Sequence, residues 1–390
     1  MKRSANAGYL KIVFVCGSIE PGRDGVGDYT RLLSSELTRA GHVIAMIGLY
    51  DRNVSAEAVG EEQVSGGSIK TLRIPVSAAL SVRTNRAQEF VSGFNPDLVS
   101  LQFVPFAFHD KGLPYWLKAN LRTIIQDRPL HIMFHEIWVG LYRGAGVKNR
   151  VLGLFQKFLI TSFARKLHPV LIHTQSRLYL LELQQLRVQV SPLPLFSNII
   201  TTGLPVGVMQ HMKRNKQYEL VFIVFGTIHP GAPVALFATE LATMKSKSGV
   251  NVIIRFIGRN GAELPVWTEI FSLAGIETIV YGEQPASRIS ELVRTSDRGI
   301  STTCFALSDK SGTVATFLDH RLNVICVAKE WIPRYGAFIP VFPGVTNYIP
   351  GKLEIILSES PFEQAPATVV STAKLLEAGL RKSLKKIQPE

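Results

Sequence analysis

The strongest constraint on the fold of this chain is an alternation of two patterns along its whole length. Short apolar runs of strand length are separated by segments whose apolar residues recur with a helical period. Continuous apolar runs are typical of strands buried on both faces of a parallel sheet, which helices connect. The pattern therefore predicts an α/β protein. We expect strands near residues 10–16, 43–49, 69–74, 97–103, 130–134, 169–173, 188–192, 219–225, 251–257, 276–281, 299–304 and 323–327.

Length and composition indicate two domains. The chain has 390 residues, 46% of them hydrophobic, which is more than one hydrophobic core usually organises. The periodic patterns lapse over residues 191–217, where prolines and a basic polar run precede the new apolar run "ELVFIVF". We expect one domain over residues 1–200 and a second over residues 201–367. Residues 368–390 carry apolar side chains at helical spacing, which predicts a terminal amphipathic helix.

Composition also limits the compartment and the partners. No run approaches the ~20 uninterrupted apolar residues of a membrane-spanning helix, and the first apolar run lacks the flanks of a signal peptide. The three cysteines are far apart and lie in apolar runs, which indicates buried thiols in a reducing, cytoplasmic compartment. The net charge of +13 favours nucleotide phosphates, anionic lipids or nucleic acid as partners. Because the aromatic interleaving and modules of nucleic-acid-binding proteins are missing, we expect no nucleic-acid partner.

The loop after the first strand, "GSIEPGRDGVGDYTRLL", places four glycines between Gly17 and Gly27. Such a loop can be a flexible surface turn. It can also be a dinucleotide-binding Gly-x-Gly-x-x-Gly loop, in which Gly25 is the first glycine, Thr30 replaces the third and Asp51 is a loosely placed ribose ligand. We favour a third interpretation, in which the loop meets a sugar or a phosphate at the mouth between two domains, because glycine allows close approach of the backbone.

The helix after this loop is the clearest in the sequence. Asp28 can cap its N-terminus and Gly41 ends it. One apolar face consists of Leu32, Leu33 and Leu37. From the loop alone, we expect Gly27→Val to abolish function while leaving the fold largely intact.

The run "GRDGVGDYTRLLSSELTRAGHVIAMIG" resembles the opening of the group 1 (family 4) glycosyltransferases, whose glycine loop precedes a helix ending in Gly-His-x-Val. The resemblance continues in "NPDLVSLQF", "IMFHEIW", "FGTIHPGAP" and "DKSGTVATFLDHRLNVI", and so spans most of the chain. It implies a GT-B fold, in which two Rossmann-like, doubly wound domains face a cleft. The first domain would bind mainly the acceptor, the second mainly the nucleotide sugar, and the terminal helix would cross back to the N-terminal domain.

The same resemblance implies an activity. Members of the family move a sugar, typically a hexose, from a nucleotide-sugar donor to a glycan or lipid-linked acceptor, and cell-envelope or exopolysaccharide synthesis is the setting that we expect. They usually retain the anomeric configuration and need no metal held by an Asp-x-Asp motif. The sequence shows no metal-ligand spacing. We therefore expect no metal and no cofactor, the nucleotide sugar being a substrate.

Two residues are the candidates for catalysis. His135 follows a predicted strand and matches the family's histidine that touches the transferred sugar, and Glu136 comes next. The alternative is that His135 is a structural residue with its hydrogen bonds satisfied. Glu20, Asp24 and Asp28 could each take a proton from the acceptor hydroxyl, and the sequence does not choose among them.

The donor is expected to bind where a helix begins after "ISTTCFALSD". Lys310, Ser311 and Gly312 supply a cation, a hydroxyl and close backbone approach there, a combination that suits a diphosphate. The alternative is that Asp309 or Ser311 only caps the helix. The donor-binding residues that we predict are Gly25, Gly27, Thr227, His229, Arg259, Asp309, Lys310, Ser311, Gly312 and Thr316.

The sequence departs from the family at several of these positions. The family's two donor-site glutamates fall on Asp309 and Thr316, and its arginine and lysine in the first donor-domain turn fall on Thr227 and Ala232. Arg259 and Lys310 can supply the missing positive charge, or the chain can belong to a divergent branch of the family with a different donor. A second hypothesis is therefore a catalytically weak or inactive protein of the same fold that binds nucleotide sugars.

The segment "RGAGVKNRVLGLFQKFLITSFARKL" combines apolar residues at helical spacing with basic residues. This is the pattern of a helix that lies on an anionic membrane surface, although a helix that faces a protein core shows it as well. The first interpretation implies a lipid-linked acceptor and a peripheral location at the inner face of the membrane.

Overall fold

The computed structural model describes the chain over residues 8–199, 219–334, 341–360, 362 and 366–387. The chain divides into two compact units. Unit 1 comprises Met1–Pro194 together with Val369–Glu390, and unit 2 comprises Leu195–Thr368. The domain end that the sequence predicts at residue 200 lies outside the described residues.

Unit 1 is built on an eight-stranded sheet with the order β3-β4-β2-β1-β5-β6-β7-β8. All neighbouring strands are parallel except β3 and β4, which are antiparallel. The chain starts at β1 in the middle, adds strands on one side and then on the other, so the sheet is doubly wound. The strands are β1 (Lys11–Cys16), β2 (Val43–Asp51), β3 (Ala58–Val64), β4 (Gly67–Pro75), β5 (Leu98–Phe103), β6 (Leu130–Phe134), β7 (Leu171–Thr174) and β8 (Ser191–Pro192).

Helices connect the parallel strands of unit 1, as their buried apolar runs require. Strand β5, for example, is buried along its entire length and needs cover on both faces. A short 3₁₀ turn, Pro105–Ala107, follows it. The helices are α1 (Gly25–Arg39), α2 (Leu80–Phe94), α3 (Leu117–Ile125), α4 (Val147–Lys166) and α5 (Arg177–Gln185).

Unit 2 is built on a six-stranded, all-parallel sheet with the order β11-β10-β9-β12-β13-β14. Its strands are β9 (Glu219–Phe225), β10 (Asn251–Ile257), β11 (Glu277–Gly282), β12 (Arg298–Ser301), β13 (Val324–Cys326) and β14 (Val345–Asn347). Its helices are α6 (Val234–Ser248), α7 (Leu264–Leu273), α8 (Ala286–Arg294), α9 (Gly312–Asp319) and α10 (Leu353–Ser358), and a 3₁₀ segment runs over Phe305–Lys310. The last helix of the chain, α11 (Val369–Lys385), follows unit 2.

Two hydrophobic clusters cover the two faces of the unit 2 sheet. Phe222 of β9 packs in one cluster with Phe256 and Trp267, whereas the next residue, Ile223, packs in the other with Phe317. Side chains alternate between the faces of a strand, so this partition means that both faces are buried. The α/β class that the sequence predicts is confirmed.

Helix α11 packs on unit 1. Leu376 is buried, and a Cβ atom on Gly379 would lie 3.1 Å from Leu171 Cδ2, so the helix passes close to β7. Glu377 Oε1 is 3.5 Å from His42 Nε2, in the turn that precedes β2.

Three local features differ from the sequence-based expectations. Strand β3 was not predicted, because its side chains are mostly exposed and polar, as in "AVGEEQV". The short strand β14 was not predicted either. The N-cap of α1 is Asp24 and not Asp28: the Asp24 side chain accepts a hydrogen bond from Gly27 N, and the helix begins at Gly25.

The order of each sheet defines where loops from neighbouring strands diverge. In unit 1 this point lies between β1 and β5, and in unit 2 between β9 and β12. In doubly wound sheets, ligands bind beyond the carboxyl ends of the strands at this point. Ligand-binding residues are therefore expected in the loops that follow these four strands.

Candidate functional site

The glycine loop of unit 1 packs tightly against its own surroundings. A Cβ atom on Gly17 would lie 2.4 Å from Ala107 O, so the loop touches the 3₁₀ turn after β5. Asp24 Oδ1 accepts from Gly27 N at 2.7 Å, and Asp28 Oδ1 accepts from Gly22 N at 3.0 Å. Burial raises the pKa of both carboxyl groups despite these hydrogen bonds. Both acids serve to order the loop.

Gly25 and Gly27 have different surroundings. A Cβ atom on Gly25 would meet nothing within 4 Å, whereas one on Gly27 would lie 3.0 Å from Ser18 O and 3.1 Å from Ile19 Cα. Both of these atoms belong to the backbone and cannot rotate away. A side chain at Gly27 therefore requires these backbone atoms to move by a few tenths of an ångström. That Gly27→Val leaves the fold largely intact stays a prediction.

Asp51, the ribose ligand of the dinucleotide interpretation, is fully buried. Its carboxylate accepts from Ser18 Oγ and from Asn53 N, each at 2.9 Å, and from Arg73 Nε at 2.8 Å. Burial alone would raise the pKa of Asp51, but these hydrogen bonds outweigh it and the pKa is lowered. The Asp51 carboxylate is fully buried and hydrogen-bonded within the protein, so it does not face a ribose hydroxyl. The dinucleotide interpretation depended on that contact.

His135 lies immediately beyond β6, and only 5% of its surface is exposed. Its backbone N–H donates to Phe103 O at 3.0 Å, which continues the pairing of β5 and β6. Its ring Nε2 is 2.8 Å from Gln102 Oε1, and the ring makes an edge contact with Tyr29 of α1, with centroids 5.1 Å apart. Glu136 N also approaches Phe103 O, at 3.4 Å. The structure thus brings the end of β6, β5 and the first turns of α1 together.

Behind His135, a series of polar contacts crosses the interior of the unit 1 sheet. Gln102 Nε2 donates to Ser100 Oγ at 2.7 Å, and Ser100 Oγ is 2.8 Å from His131 Nδ1. His131 Nε2 is 3.0 Å from His173 Nδ1. We call Gln102, Ser100, His131 and His173 the polar relay; all four are buried.

Sequence reasoning missed the polar relay, although a signal for it exists. Each of β5, β6 and β7 is an apolar run with a polar residue inside it, as in "LVSLQF", "LHIMF" and "LIHT". Polar groups in fully buried strands need hydrogen-bond partners, and neighbouring strands are the nearest source.

In unit 2, the turn after β9 is held by side chains from the loops beside it. Asn260 Nδ2 donates to Gly226 O at 2.8 Å, and Gly226 has a φ of +76°. Thr302, just beyond β12, accepts from His229 N at 2.9 Å and donates to Thr227 O at 3.3 Å. Thr227 and His229 are both exposed. The turn is rigid, and it presents these two predicted residues to solvent.

The start of α9 adjoins this turn. Ser311 is the N-cap: its Oγ accepts from Val314 N at 3.4 Å and lies 3.1 Å from Thr303 Oγ1. Thr313 Oγ1 donates to Phe225 O at 3.1 Å, which ties the helix to the end of β9. A Cβ atom on Gly312 would meet nothing within 4 Å. The helix N-terminus is therefore open at Gly312 and lies against β9 and β12.

Lys310 precedes this helix at the end of the 3₁₀ segment. Burial raises the pKa of Cys304 to about 11, and the positive charge of Lys310 is the largest influence in the opposite direction. The positive charge of the Lys310 ammonium group therefore lowers the pKa of the Cys304 thiol in the loop after β12. Asp309 also acts on Cys304, as a weaker influence that raises its pKa.

The N-termini of α1 and α9 carry different charges. The N-cap of α1 is a carboxylate, Asp24, and its first turn contains a second one, Asp28. The N-cap of α9 is the neutral hydroxyl of Ser311, and "GTVAT" adds no acidic residue. Anions bind at helix N-termini because of exposed N–H groups and the helix dipole, and nearby carboxylates oppose this. Only α9 has the charge pattern of a phosphate site.

Two of the predicted donor-binding residues are not grouped with the others of unit 2. Thr316 is 1% exposed, donates to Gly312 O at 2.9 Å and accepts from Ser197 Oγ at 3.2 Å. Arg259 is exposed beyond β10 and pairs with Glu283, with Nη2 and Oε2 2.9 Å apart, which raises the pKa of Arg259. Gly25 and Gly27 belong to unit 1, whereas the rest of the predicted set belongs to unit 2.

Helix α4 has an apolar face exposed to solvent. The opposite face is packed: Gln156 bonds to Val139 N and Gly112 O, and Phe163 is buried. The exposed apolar residues are Val147 (75%), Val151 (46%), Leu154 (63%), Phe155 (60%) and Phe158 (73%). A helix that only covered a core would bury residues of this size, so the core-facing interpretation does not explain this face.

No group of three or more His, Cys, Asp or Glu residues in the described part of the chain is arranged to hold a metal ion. None of the helices described is long and apolar enough to cross a membrane.

Comparisons with known proteins place the fold. No protein-family model matches the sequence, and no curated protein sequence matches it. Among solved structures, the chain is similar to Anabaena Alr3699/HepE in complex with UDP and glucose, with 13% identity, a TM-score of 0.54, and coverage of 97% of this chain and 98% of that one. It is also similar to the catalytic domain of Starch Synthase IV from Arabidopsis thaliana bound to ADP and acarbose, with 10% identity, a TM-score of 0.55, and coverage of 97% and 100%.

A third similar structure is WaaG, described as a glycosyltransferase involved in lipopolysaccharide biosynthesis, with 11% identity, a TM-score of 0.53, and coverage of 96% and 90%. These structures are GT-B glycosyltransferases with two Rossmann-like domains. At such low identity the likeness shows the fold alone. The GT-B fold that the sequence resemblance implied is confirmed, and membership of group 1 (family 4) stays a prediction.

Proposed function

We propose that this GT-B chain is a glycosyltransferase that moves a sugar from a nucleotide-sugar donor to a glycan or lipid-linked acceptor. The observation that carries the proposal is the start of α9, where Ser311, Gly312 and Lys310 combine a neutral N-cap, an open backbone and a cation. A nucleotide sugar leaves its diphosphate behind on transfer. Amide N–H groups and a cation aimed at that diphosphate stabilise the charge that develops on it.

The comparisons support the same class of donor. The HepE structure contains UDP and glucose, and the starch synthase structure contains ADP. We propose that unit 2 holds the nucleoside diphosphate in this chain, with Thr227 and His229 presented beside the helix start by the turn after β9. We propose that Asp309, just before Lys310, and Arg259, exposed beyond β10, contact other parts of the donor.

We assign the reacting sugar to the neighbourhood of His135 in unit 1. The sequence resemblance implies a retaining reaction that needs no metal, and we propose both properties here. His135 would hydrogen-bond the transferred sugar, and Glu136 is the adjacent acidic group. The direct test is the anomeric configuration of the product, together with a turnover rate that chelator does not change.

The experiment that tests the function uses a panel of nucleotides and nucleotide sugars. Binding of one of them at 100 times its dissociation constant should add about 2.7 kcal/mol to the free energy of unfolding. Release of the nucleoside diphosphate should then depend on an added glycan or lipid-linked acceptor. Binding without turnover across the panel would favour the inactive nucleotide-sugar-binding protein, and stabilisation by no member would refute both hypotheses.

Lys310→Ala provides the link between this binding and the proposed site. Loss of a hydrogen bond to a charged group costs about 1.5–3 kcal/mol, so nucleotide-sugar affinity should fall roughly 10- to 100-fold. Lys247→Ala is the matched control, because that lysine is also in unit 2 but lies at the exposed end of α6. Equal affinities for Lys310→Ala and the unsubstituted chain would remove Lys310 from the site.

We further propose that the exposed face of α4 binds an anionic membrane surface, which would place a lipid-linked acceptor near unit 1. Phe155 and Phe158 would enter the headgroup region, while Lys148 and Arg150, also exposed, would meet the lipid charge. This would make the protein peripheral at the inner face of the membrane.

Sedimentation with vesicles tests this proposal. The chain should sediment with phosphatidylglycerol-containing vesicles at low salt and less so at high salt. Phe155→Ser combined with Phe158→Ser should reduce binding about tenfold or more, because two exposed aromatic side chains lose their apolar contact. Leu273→Ser in unit 2 is the control, since Leu273 is 82% exposed. A chain that stays in the supernatant under all these conditions would refute the proposal.

A further inference from the structure

With the Gln102 amide oriented as it lies in the structure, the hydrogen bonds of the polar relay all run in one direction. The Oε1 atom of Gln102 can only accept, so the Nε2 atom of His135 must carry the hydrogen between them. The Nε2 group of Gln102 donates to Ser100 Oγ, so the hydroxyl hydrogen is directed to His131 Nδ1. His131 then carries its hydrogen on Nε2 and donates it to His173 Nδ1. This amide orientation therefore implies the Nε2–H form for all three rings.

The surroundings keep the rings of His131 and His173 neutral. Burial lowers the pKa of His131, and the neighbouring His173 and His135 lower it further. Burial lowers the pKa of His173 to about 4. A second hydrogen on His131 would also point at the hydroxyl hydrogen of Ser100, so a charged ring would break the series of contacts. Near neutral pH the rings of His131 and His173 therefore each have one donor and one acceptor nitrogen.

We propose that the polar relay fixes the tautomer and the orientation of His135, so that its Nδ1 atom is the basic nitrogen of the ring. The relay members are positioning residues, because they act through His135 and not on a substrate. That Nδ1 receives a hydrogen bond from a sugar hydroxyl rests on the function proposed above. The tautomer itself does not depend on that function.

The tautomers can be measured directly. In ¹⁵N-histidine-labelled protein, long-range proton–nitrogen correlation spectra distinguish the protonated from the bare ring nitrogen. Signals are assigned by replacing His131, His135 and His173 by glutamine one at a time. We expect Nε2–H for all three rings in the unsubstituted chain near pH 7. Nδ1–H on His135 would overturn the proposal.

Gln102→Glu gives a sharper test, because it changes the relay in a way that a purely structural role does not predict. A carboxylate accepts from His135 Nε2 as the amide did, but it has no N–H for Ser100. The Ser100 hydroxyl would then donate to the carboxylate and accept from His131 Nδ1. His131 and His173 should therefore change to the Nδ1–H form while His135 stays Nε2–H. Unchanged tautomers at His131 and His173 would overturn the proposed coupling.

Kinetics provide the second readout. Ser100→Ala leaves Gln102 without its acceptor in either amide orientation, so His135 should become a mixture of tautomers. Turnover should fall about tenfold with an unchanged KM for the nucleotide sugar, as is typical when the partner that orients a histidine is lost. Ser34→Ala is the control: the Ser34 hydroxyl is also buried, and it has no hydrogen-bond partner among the described residues.

The two readouts separate the possible failures. A chain with the expected tautomers but no transfer activity would refute the proposed function and leave the relay standing. A chain that transfers sugar but has mixed tautomers at His135 would refute the relay and leave the function standing.

Discussion

Units 1 and 2 place their candidate residues at equivalent points of similarly ordered sheets, but the two points differ in chemistry. In unit 1 the point beyond β1 and β5 is surrounded by ionisable groups: the buried His135 with the polar relay behind it, and the two half-buried carboxylates at the start of α1. In unit 2 the point beyond β9 and β12 presents hydroxyl groups and the open start of α9. Topology therefore decides where a ligand can bind, and a few local side chains decide which ligand.

The contrast between the two helix starts is the clearest part of this lesson. Both helices follow a strand and a loop, as in many phosphate-binding sites, and only the cap differs: Asp24 for α1 and Ser311 for α9. A glycine-rich sequence alone does not distinguish them. The charge of the cap distinguishes the two helices. A carboxylate at a helix N-terminus already neutralises the positive end of the helix dipole and repels a phosphate.

The largest expected effect tests the chemistry assigned to unit 1. His135→Gln keeps an amide N–H for Gln102 but removes the ring Nδ1. Turnover should fall by roughly 10²- to 10⁴-fold, the range for loss of a group that transfers or shares a proton. Nucleotide binding, which we place in unit 2, should not change. The comparison fails if the variant loses nucleotide affinity and keeps its turnover.

The next effect tests unit 2 by giving α9 the cap of α1. Ser311→Asp retains a good N-cap but places a carboxylate where we expect the diphosphate, so nucleotide-sugar affinity should fall roughly 100-fold while the melting temperature changes little. Ser311→Asn is the control, since asparagine caps equally well without a charge. Calorimetric titration measures both. Equal affinities for the two variants would show that the cap does not face an anion.

A third prediction concerns pH. The folded-state pKa of His173 is about 4, and that of His131 is also lowered, whereas in the unfolded chain both have ordinary values near 6.5. The unfolded state therefore binds more protons between these values, and the stability of unit 1 should be complete above pH 6.5 and decline toward pH 4. The slope is up to about 1.4 kcal/mol per pH unit for each histidine.

Hydrogen exchange measures this decline unit by unit. After correction for the intrinsic pH dependence of exchange, protection of β5, β6 and β7 should fall more between pH 7 and 5 than protection of β9 and β10. Among the described residues of unit 2, one histidine has a lowered pKa, His320, so a smaller decline is expected there. An equal decline in both units would contradict the burial assigned to the relay.

The smallest predicted effect separates the two glycines of α1. Gly25→Ala should stabilise unit 1 by about 0.4–1 kcal/mol, because the position is helical and a methyl group fits there. Gly27→Ala should destabilise it by about 1–3 kcal/mol, because the added carbon overlaps the backbone at Ser18. Chemical denaturation of the two variants gives the difference. Equal stability of the two variants would show that the backbone at Ser18 does not restrict a side chain at Gly27.

Much of the fold could be predicted from the sequence. The buried runs of β1, β5, β6, β9 and β10 are predominantly apolar, so their positions follow from the hydrophobic pattern. Strand β3 could not be found in this way, because it lies at the sheet edge and exposes most of its side chains. The cap of α1 was misplaced by four residues, because Asp24 and Asp28 are both suitable caps and only the backbone conformation distinguishes them.

The candidate site was predictable in part and for a definable reason. His135 lies just beyond a strand and Ser311 caps a helix. The ends of strands and helices can be predicted from the hydrophobic pattern of a sequence. The polar relay was not predicted, because Ser100, His131 and His173 come from three separate strands and meet only through their register. The burial of Thr316 was also invisible, since its partner Ser197 is 119 residues away.

The packing of α11 on unit 1 has a consequence for how the protein is made. The ribosome completes β1 through β8 long before it reaches residue 369, so the nascent unit 1 must wait for the whole of unit 2 to be synthesised. During that interval Leu171 and the neighbourhood of His173 lack the helix that passes over them. A nascent chain of this design exposes apolar surface late into translation, which is when chaperones would have to protect it.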